Sequence, residues 1–213
     1  MKIHRFIVNF DLNPKKTGGV SDFLKIEDKE IINQIKNVLR LKTGENIILS
    51  DGKSNEILGE IQEIKSAPGE GLKIKIINIY ENKNEPAIRG ILYCALLKKE
   101  NFELAVQKSV EAGIKEIIPV KTERTVKFNL KKDRVLKIMK EASEQSERGI
   151  IPELMEILDF KKASEEAAKN DFNFLFDKSG EPIQKIISRV AVSLNKKTSL
   201  LCAPRLRRLS LLI

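Results

Sequence analysis

The pattern of hydrophobic and polar positions changes partway along the chain. In the first part, short stretches alternate between apolar and polar residues, which is typical of β-strands with one buried face. Strands are predicted at residues 3–10, 46–50, 56–64 and 72–80, and a helix at residues 28–39. Many short strands separated by turn signals favour a small β-barrel.

The stretch 81–86 is polar, lacks apolar anchors and ends in proline, which predicts a domain boundary. We therefore expect one domain over residues 1–80 and a second over residues 86–213. In the second domain, apolar runs at 91–97 and 117–120 are typical of strands buried on both faces. A helix between them makes a β-α-β unit with two parallel strands, so we predict an α/β domain with a mostly parallel sheet.

The helix between these strands is predicted to begin with Asn101 as its N-cap and to end before Gly113. Phe102, Val106 and Val110 form its apolar stripe. Later elements are predicted as a helix at residues 132–147, strands at 174–176 and 199–201, and a helix at 183–192.

The net charge of +9 changes the picture of possible partners. The first 80 residues carry 13 Lys and Arg against 11 Asp and Glu, so most of the excess lies in the second domain. Such basicity favours a polyanion such as RNA or DNA, although solubilising surface lysines explain it equally well. No apolar run reaches the roughly 20 residues of a membrane helix, and the start lacks a signal peptide. We expect a soluble cytoplasmic protein without a membrane partner.

Several kinds of chemistry are disfavoured by composition. His4 is the only histidine, which argues against a Ser-His-Asp triad and against a multi-histidine metal site, so no metal is expected. Cys94 and Cys202 lie in apolar runs and are interpreted as core thiols. The phosphate-binding motifs GxxxxGK[ST] and GxGxxG are absent.

Two polar clusters are candidates for chemistry in the second domain. Lys108 and Glu111 are three residues apart on one helix flank, which fits a surface ion pair as well as a site. Glu123 and Arg124 follow a predicted strand, where ligands bind in open α/β sheets. Arg124 is well placed there for a phosphate or a uracil carbonyl, and a solvated loop is the alternative.

A third cluster lies at the end of the helix predicted at 132–147. Its apolar stripe continues to Gln145, and a buried amide must find hydrogen-bond partners. Arg148 follows one turn later. Polar residues where the pattern asks for apolar ones suggest a site, and the alternative is that the helix emerges into solvent there.

Five segments in order resemble motifs of the ribosomal RNA small subunit methyltransferase E family. They are His4-Arg5-Phe6, Leu39 to Glu45 with Asp51-Gly52, Lys108 to Gly113, Ile117 to Thr125, and Glu141 to Arg148 with Pro152. The resemblance implies a PUA-like barrel at 1–80 and a knotted SPOUT-type α/β domain at 86–213. It also implies methylation of N3 of a uridine in 16S rRNA of the small ribosomal subunit, with S-adenosylmethionine as cofactor, by a homodimer.

The chain departs from the family pattern after residue 201. Where the family has a glycine-rich cofactor loop, this chain reads Cys202-Ala203-Pro204, and only Pro204 matches. Cofactor contacts are expected at Leu201, Ala203 and Pro204, and the knot is expected to be incomplete. We interpret the departure as a truncation, frameshift or assembly break. The alternative function is an RNA-binding module without catalytic activity, and a decayed fragment is a third hypothesis.

The resemblance also suggests roles for the candidate residues. Arg124 and Arg148 are expected to stabilise charge on the uracil oxygens and to hold phosphate, with Glu111 or Glu123 as the base. The expected RNA contacts are Arg5, Arg40, Lys108, Glu123 and Gln145.

Overall fold

The structure is a computed structural model, and it describes residues 3–10, 22–65, 71–123, 125, 130–175, 185 and 208–212. The chain divides into two compact units. The first unit combines Met1–Glu85 with Met139–Ile151, and the second combines Pro86–Ile138 with Pro152–Ile213.

The first unit contains a five-stranded mixed sheet. Its strands are β1 (His4–Ile7), β2 (Phe23–Ile26), β3 (Asn46–Ser50), β4 (Asn55–Ile64) and β5 (Leu72–Glu81), in the order β1-β3-β4-β5-β2. β1 runs parallel to β3, and the other neighbours are antiparallel. Four of the five strands are predicted from the sequence, whereas β2 is not.

A helix begins after Asp28, whose side chain accepts hydrogen bonds from the backbone N–H groups of Glu30 and Ile31. This cap explains why helix α1 (Lys29–Asn33) starts there. The helix continues as a π-helical turn over Gln34–Val38. The helix predicted at 28–39 is therefore present, and its second half is π-helical. Its apolar side joins the inward face of the sheet in one core. That core includes Phe6, Ile31, Ile35, Ile47, Leu49, Ile57, Ile61, Leu72 and Ile74.

In the second unit the described strands form a parallel sheet. These strands are β6 (Arg89–Ala95), β7 (Glu116–Lys121), β8 (Glu153–Leu154), β9 (Leu158–Asp159), β10 (Phe172–Leu175) and β11 (Arg208–Leu212). Their order is β10-β11-β6-β7-β8, and β9 also pairs with β7. The predicted parallel pairing of β6 with β7 is confirmed. β11 is not predicted from the sequence, and the strand predicted at 199–201 lies outside the described residues.

Two helices of this unit are α2 (Lys99–Glu111) and α4 (Phe160–Ala167). Along the chain, α2 connects β6 to β7, and α4 connects β9 to β10. The stripe of Phe102, Val106 and Val110 on α2 is buried as predicted. The predicted N-cap at Asn101 is wrong, because the helix begins two residues earlier and Lys98 is the N-cap. The helix predicted at 183–192 lies outside the described residues, apart from Lys185.

The buried thiol of Cys94 lies near the carboxyl end of β6. Burial raises its pKa to about 11, so the thiol stays protonated at neutral pH. The prediction of a core thiol is confirmed for Cys94, whereas Cys202 lies outside the described residues.

Helix α3 (Lys132–Gln145) contributes residues to both units. Residues 132–138 belong to the second unit, whereas residues 139–145 belong to the first and continue there to Ile151. The helix matches the one predicted at 132–147 to within two residues. Within the described ranges, no helix is long and apolar enough to cross a membrane.

Gly113 ends α2 with a φ of +89°, as expected for a glycine that follows a helix. A Cβ atom at this position would lie 2.4 Å from Cγ of Pro86. We predict that Gly113→Ala destabilises the protein by at least about 2 kcal/mol, from the positive φ and the clash together.

Gly44→Ala is the matched control for this prediction. Gly44 has a φ of +91°, but nothing lies within 4 Å of a Cβ built there. It should therefore cost only about 1 kcal/mol. Urea unfolding of both variants measures the difference, and equal costs would contradict the proposed clash with Pro86.

Candidate functional site

In open α/β sheets, ligands bind beyond the carboxyl ends of the strands, and the second unit has such an edge. β6 leads there to Lys98 and Lys99, and β7 ends at Lys121, followed by Glu123. All four side chains are exposed. Because parallel strands bring their carboxyl ends to one edge, three ammonium groups and one carboxylate share it. The ammonium groups suit an anionic ligand, and the carboxylate can accept a proton or a hydrogen bond from it.

A short turn holds the loop after β7. The backbone N–H of Thr125 donates to the carbonyl oxygen of Thr122 over 3.0 Å. In return, the backbone N–H of Thr122 donates to Oγ1 of Thr125 over 2.8 Å. This reciprocal pair fixes the position of Glu123, which lies inside the turn. Arg124 lies outside the described residues, so its role stays a prediction.

Lys108 and Glu111 lie at the other end of α2. The helix starts at the carboxyl end of β6 and runs back along the sheet, so its last turn precedes the start of β7. The structure therefore does not bring Glu111 together with Glu123. Nζ of Lys108 lies 2.7 Å from Oε2 of Glu111, which is the exposed ion pair considered as the alternative.

The hydrogen bond from Lys108, and then that from Gln107, lowers the pKa of the Glu111 carboxyl below its usual value. A lower pKa makes Glu111 a weaker base than a free carboxylate, and its catalytic role stays a prediction.

The expected cofactor contacts Leu201, Ala203 and Pro204 lie outside the described residues. Among the residues that the structure does describe, no group of three or more His, Cys, Asp or Glu side chains could hold a metal ion.

Arg148 is in the first unit, where it forms a buried ion pair. Its side chain donates to Glu85 from Nε over 3.2 Å and from Nη2 over 2.8 Å. Only 3% of Arg148 is exposed. Because two of its donor groups point at this carboxylate, the geometry gives Arg148 a structural task, and the catalytic role stays a prediction.

The prediction that Gln145 lies on the buried stripe of α3 is wrong, because Gln145 is exposed. The inward positions near this end are Ala142, Ser143 and Glu144. Gln145 lies on the exposed side of α3, but the alternative that the helix emerges into solvent there is also wrong, because Ser143, Glu144 and Arg148 are buried.

Glu144 is a buried carboxyl that the sequence analysis missed. Its Oε1 accepts a hydrogen bond from the backbone N–H of Ile7 over 2.7 Å. Burial raises the pKa of Glu144, and the bond from Ile7 lowers it by a smaller amount. This contact joins the end of α3 to β1, and the only sequence signal is a carboxyl directly after an apolar stripe.

Arg5 forms an ion pair with Glu56, whose side chain is fully buried. The same carboxylate accepts from Nδ2 of Asn82 over 2.7 Å, and Asn82 also donates to the carbonyl oxygen of Glu147 over 3.1 Å. The guanidinium is therefore engaged inside the unit, and the RNA contact predicted for Arg5 is untested. Arg40 is exposed, with a φ of +56°.

Together these contacts form what we call the β4–β5 clamp, which consists of residues 52–56 and 82–85 holding residues 147–151. Besides the ion pairs, the N–H of Ser54 donates to Gly149 and that of Ile151 to Gly52. The stretch 81–86, where a domain boundary is predicted, therefore supplies half of a structural clamp. Its polar residues gave no sign of burial, since their partners are more than 20 positions away in the sequence.

The comparison with protein families gives a match over much of the chain. A model described as RNA methyltransferase domain matches residues 83–203, and one described as RNA methyltransferase PUA domain matches residues 26–67. The chain belongs to the RNA methyltransferase family.

Relatives of this chain include two proteins named ribosomal RNA small subunit methyltransferase E. The one from Bacillus subtilis is 32% identical over 62% of this chain, which spans about half (53%) of that relative's length. The one from Rickettsia conorii is 26% identical over 92% of this chain and 75% of its own length.

Solved structures show the same fold. A ribosomal RNA small subunit methyltransferase E from Neisseria gonorrhoeae, bound to S-adenosylmethionine, matches 99% of this chain and 79% of its own with a TM-score of 0.73 at 20% identity. A Legionella pneumophila protein described as a methyltransferase, in complex with the same cofactor, matches 100% of this chain and 80% of its own with a TM-score of 0.74 at 22% identity. The predicted fold class, a PUA-like domain and an α/β domain with a mostly parallel sheet, is confirmed, and the SPOUT assignment and the incomplete knot stay predictions.

The buried ion pair between Arg5 and Glu56 leads to a stability prediction. Glu56→Gln removes the negative charge that compensates the Arg5 guanidinium inside the first unit. We expect a loss of about 3 kcal/mol in the free energy of unfolding, since a buried charge left without its partner is costly. Urea unfolding measures it.

Glu27→Gln is the control for this variant. Lys25 and Glu27 form an exposed pair at 2.7 Å, so solvent screens the pair and little change is expected. If Glu56→Gln were as stable as Glu27→Gln, the Arg5–Glu56 pair would not be a main support of the unit.

Glu144 generates a prediction about pH. Since its pKa is raised in the folded protein, the acid form favours folding, and this contribution is lost as pH rises from the unfolded value of about 4.5 through the folded pKa. Glu144→Gln keeps an acceptor for Ile7 but cannot ionise. Its stability relative to the parent protein should therefore rise as the pH is raised from about 4 toward neutral.

Glu144→Leu separates the hydrogen bond from the charge. It leaves the buried N–H of Ile7 without its acceptor, at a cost of about 1–3 kcal/mol. Urea midpoints for the three proteins across this pH range test both effects. A Gln variant whose relative stability does not change with pH would refute the raised pKa.

Proposed function

We propose that this chain uses S-adenosylmethionine to methylate N3 of a uridine in 16S rRNA. The observation that carries the proposal is the basic carboxyl edge formed by Lys98, Lys99 and Lys121 inside the segment matched to the RNA methyltransferase domain. Phosphate groups of RNA are attracted to such an edge. Ribosomal RNA is proposed as the substrate because the relatives are named ribosomal RNA small subunit methyltransferase E.

The described residues fit this cofactor at the same edge. Leu97, after β6, and Ile157, before β9, are exposed apolar side chains at or near the carboxyl end of β7. They offer an apolar surface for an adenine ring. When bound, S-adenosylmethionine supplies an electrophilic methyl group. Leu201, Ala203 and Pro204 are the further contacts that we propose.

The chain's own residues would prepare the uracil. We propose that the carboxylate of Glu123 accepts the N3 proton and that Arg124 stabilises the charge that then spreads over the uracil oxygens. The turn between Thr122 and Thr125 keeps Glu123 in place, so little ordering is needed when RNA binds. Lys98 and Lys121 would hold the flanking phosphates.

The proposal extends to the whole assembly. Residues 1–80 would form an RNA-binding domain with Arg40 among its contacts, and residues 86–213 the methyltransferase domain. The substrate would be 16S rRNA of the small ribosomal subunit, in the cytoplasm. We also propose a homodimer, for which the exposed Leu104 and Leu136 beside the Glu103–Arg134 ion pair offer apolar surface.

Glu123→Gln tests the base. We expect kcat for methyl transfer from labelled S-adenosylmethionine to 16S rRNA to fall by about a hundredfold or more, because a general base typically contributes that much. The KM for the cofactor should stay unchanged. Mass spectrometry of the nucleosides identifies the methylated position.

Glu111→Gln makes the same chemical change at the other end of α2 and should leave kcat nearly unchanged. An equal loss in both variants would contradict Glu123 as the base. If calorimetry detected no cofactor binding while 16S rRNA still bound, the alternative of an RNA-binding module without activity would be favoured.

A further inference from the structure

A cleft of about 280 Å³ lies on the outer face of the first unit's sheet, along β2 and β5. We call it the Phe23 cleft. Its lining includes Phe23, Lys25, Glu63, Lys65, Gly71 and Lys73. None of the roles proposed above uses this surface, which makes it the strongest unassigned feature among the described residues.

The alternation of the strands explains how these side chains come together. Leu72 and Ile74 of β5 point into the core, so Lys73 between them points outward. Lys73 pairs in register with Lys25 on β2 and with Glu63 on β4. One row across the sheet therefore carries two ammonium groups and one carboxylate on the outer face.

Phe23 is an aromatic residue without a place in the core, since 42% of it is exposed. Nζ of Lys73 lies 4.3 Å from the centre of its ring, which is within the distance for a cation–π interaction. The ammonium group contacts the ring at the edge of the sheet and favours its present orientation. A partly ordered ring loses less entropy when a flat ligand stacks on it.

Lys65 and Lys25 of the cleft each form an exposed ion pair. Lys65 contacts Glu63 at 2.8 Å and Lys25 contacts Glu27 at 2.7 Å, with all four side chains about half exposed. Such pairs contribute little to stability, so a phosphate can replace the carboxylate as partner at small cost. Gly71 adds no side chain to the wall of the cleft. A Cβ atom there would lie 2.5 Å from the carbonyl oxygen of Ile26, so a larger residue does not fit without a shift.

We propose that the Phe23 cleft binds a single-stranded segment of RNA, with one base stacked on Phe23 and the adjoining phosphates on Lys25, Lys65 and Lys73. Aromatic rings flanked by lysines are the combination that single strands require, because unpaired bases can stack and the backbone is anionic. Duplex RNA keeps its bases stacked on one another, so it cannot use the ring. The inference rests on the proposed function, since it supposes an RNA substrate.

The test measures the affinity of the full chain for a fluorescent single-stranded RNA of about 12 nucleotides, and for the same sequence as a duplex. Phe23→Leu should weaken single-strand binding about tenfold and leave duplex binding unchanged. Phe23→Tyr keeps the ring and should bind as the parent protein does. Equal affinities of the parent, Leu and Tyr proteins for the single strand would overturn the proposal.

Lys73→Gln provides an independent variant. It should reduce the slope of log affinity against log salt by about 0.7, the contribution of one phosphate contact on a single strand. Lys29→Gln removes the same charge from an exposed position on α1, outside the cleft, and should leave the slope unchanged. Equal slopes for the two variants would overturn the phosphate contact.

Crosslinking of RNA that contains 4-thiouridine gives a readout that does not depend on folding of the variants. Crosslinks should map to the peptides that contain Phe23 and Lys73, and their absence from both would overturn the site. A parent protein that binds no RNA would overturn the proposed function together with the cleft. A parent protein that methylates 16S rRNA, with cleft variants unchanged in single-strand affinity, would overturn the cleft alone.

Discussion

The buried carboxylate of Glu56 is the contact on which the first unit most depends. It sits on a strand whose alternation would turn it toward solvent, yet it is fully buried and bonded to both Arg5 and Asn82. Removing a charge from water is costly unless partners replace the water. The partners come from β1 and from the chain after β5, and both contact Oε1 of Glu56, so three distant segments must be in place before this oxygen has its partners.

Further buried polar contacts involve the end of α3 and the residues that follow it. Asn82 also bonds to Glu147, Glu85 bonds to Arg148, and Glu144 accepts from Ile7. Each contact joins segments far apart in sequence, and each is more demanding geometrically than an apolar contact. Polar groups in such a network specify one arrangement, because any other leaves a buried donor or acceptor without a partner.

Sequence periodicity predicted much of the fold for a physical reason. Strands such as β3 and β5 and the stripe on α2 show their burial in the order of their own residues. The network around Glu56 has no such local signature. Arg5 and Arg148 were interpreted as RNA or catalytic residues, because an arginine in a sequence shows its charge but not its partner. Gln145 was placed inside for a related reason: an apolar stripe does not reveal which residues beyond it are exposed.

Helix α3 has a consequence for how this protein can be divided. Its residues belong partly to one unit and partly to the other, and the segment that completes the first unit follows the helix in the chain. The first unit is therefore discontinuous and cannot be exchanged between proteins as a simple N-terminal cassette. A fragment cut after Glu85 would lack the acceptor for Ile7 and the partner of Glu85. Recombination would preserve this unit only if the later segment were inherited with it.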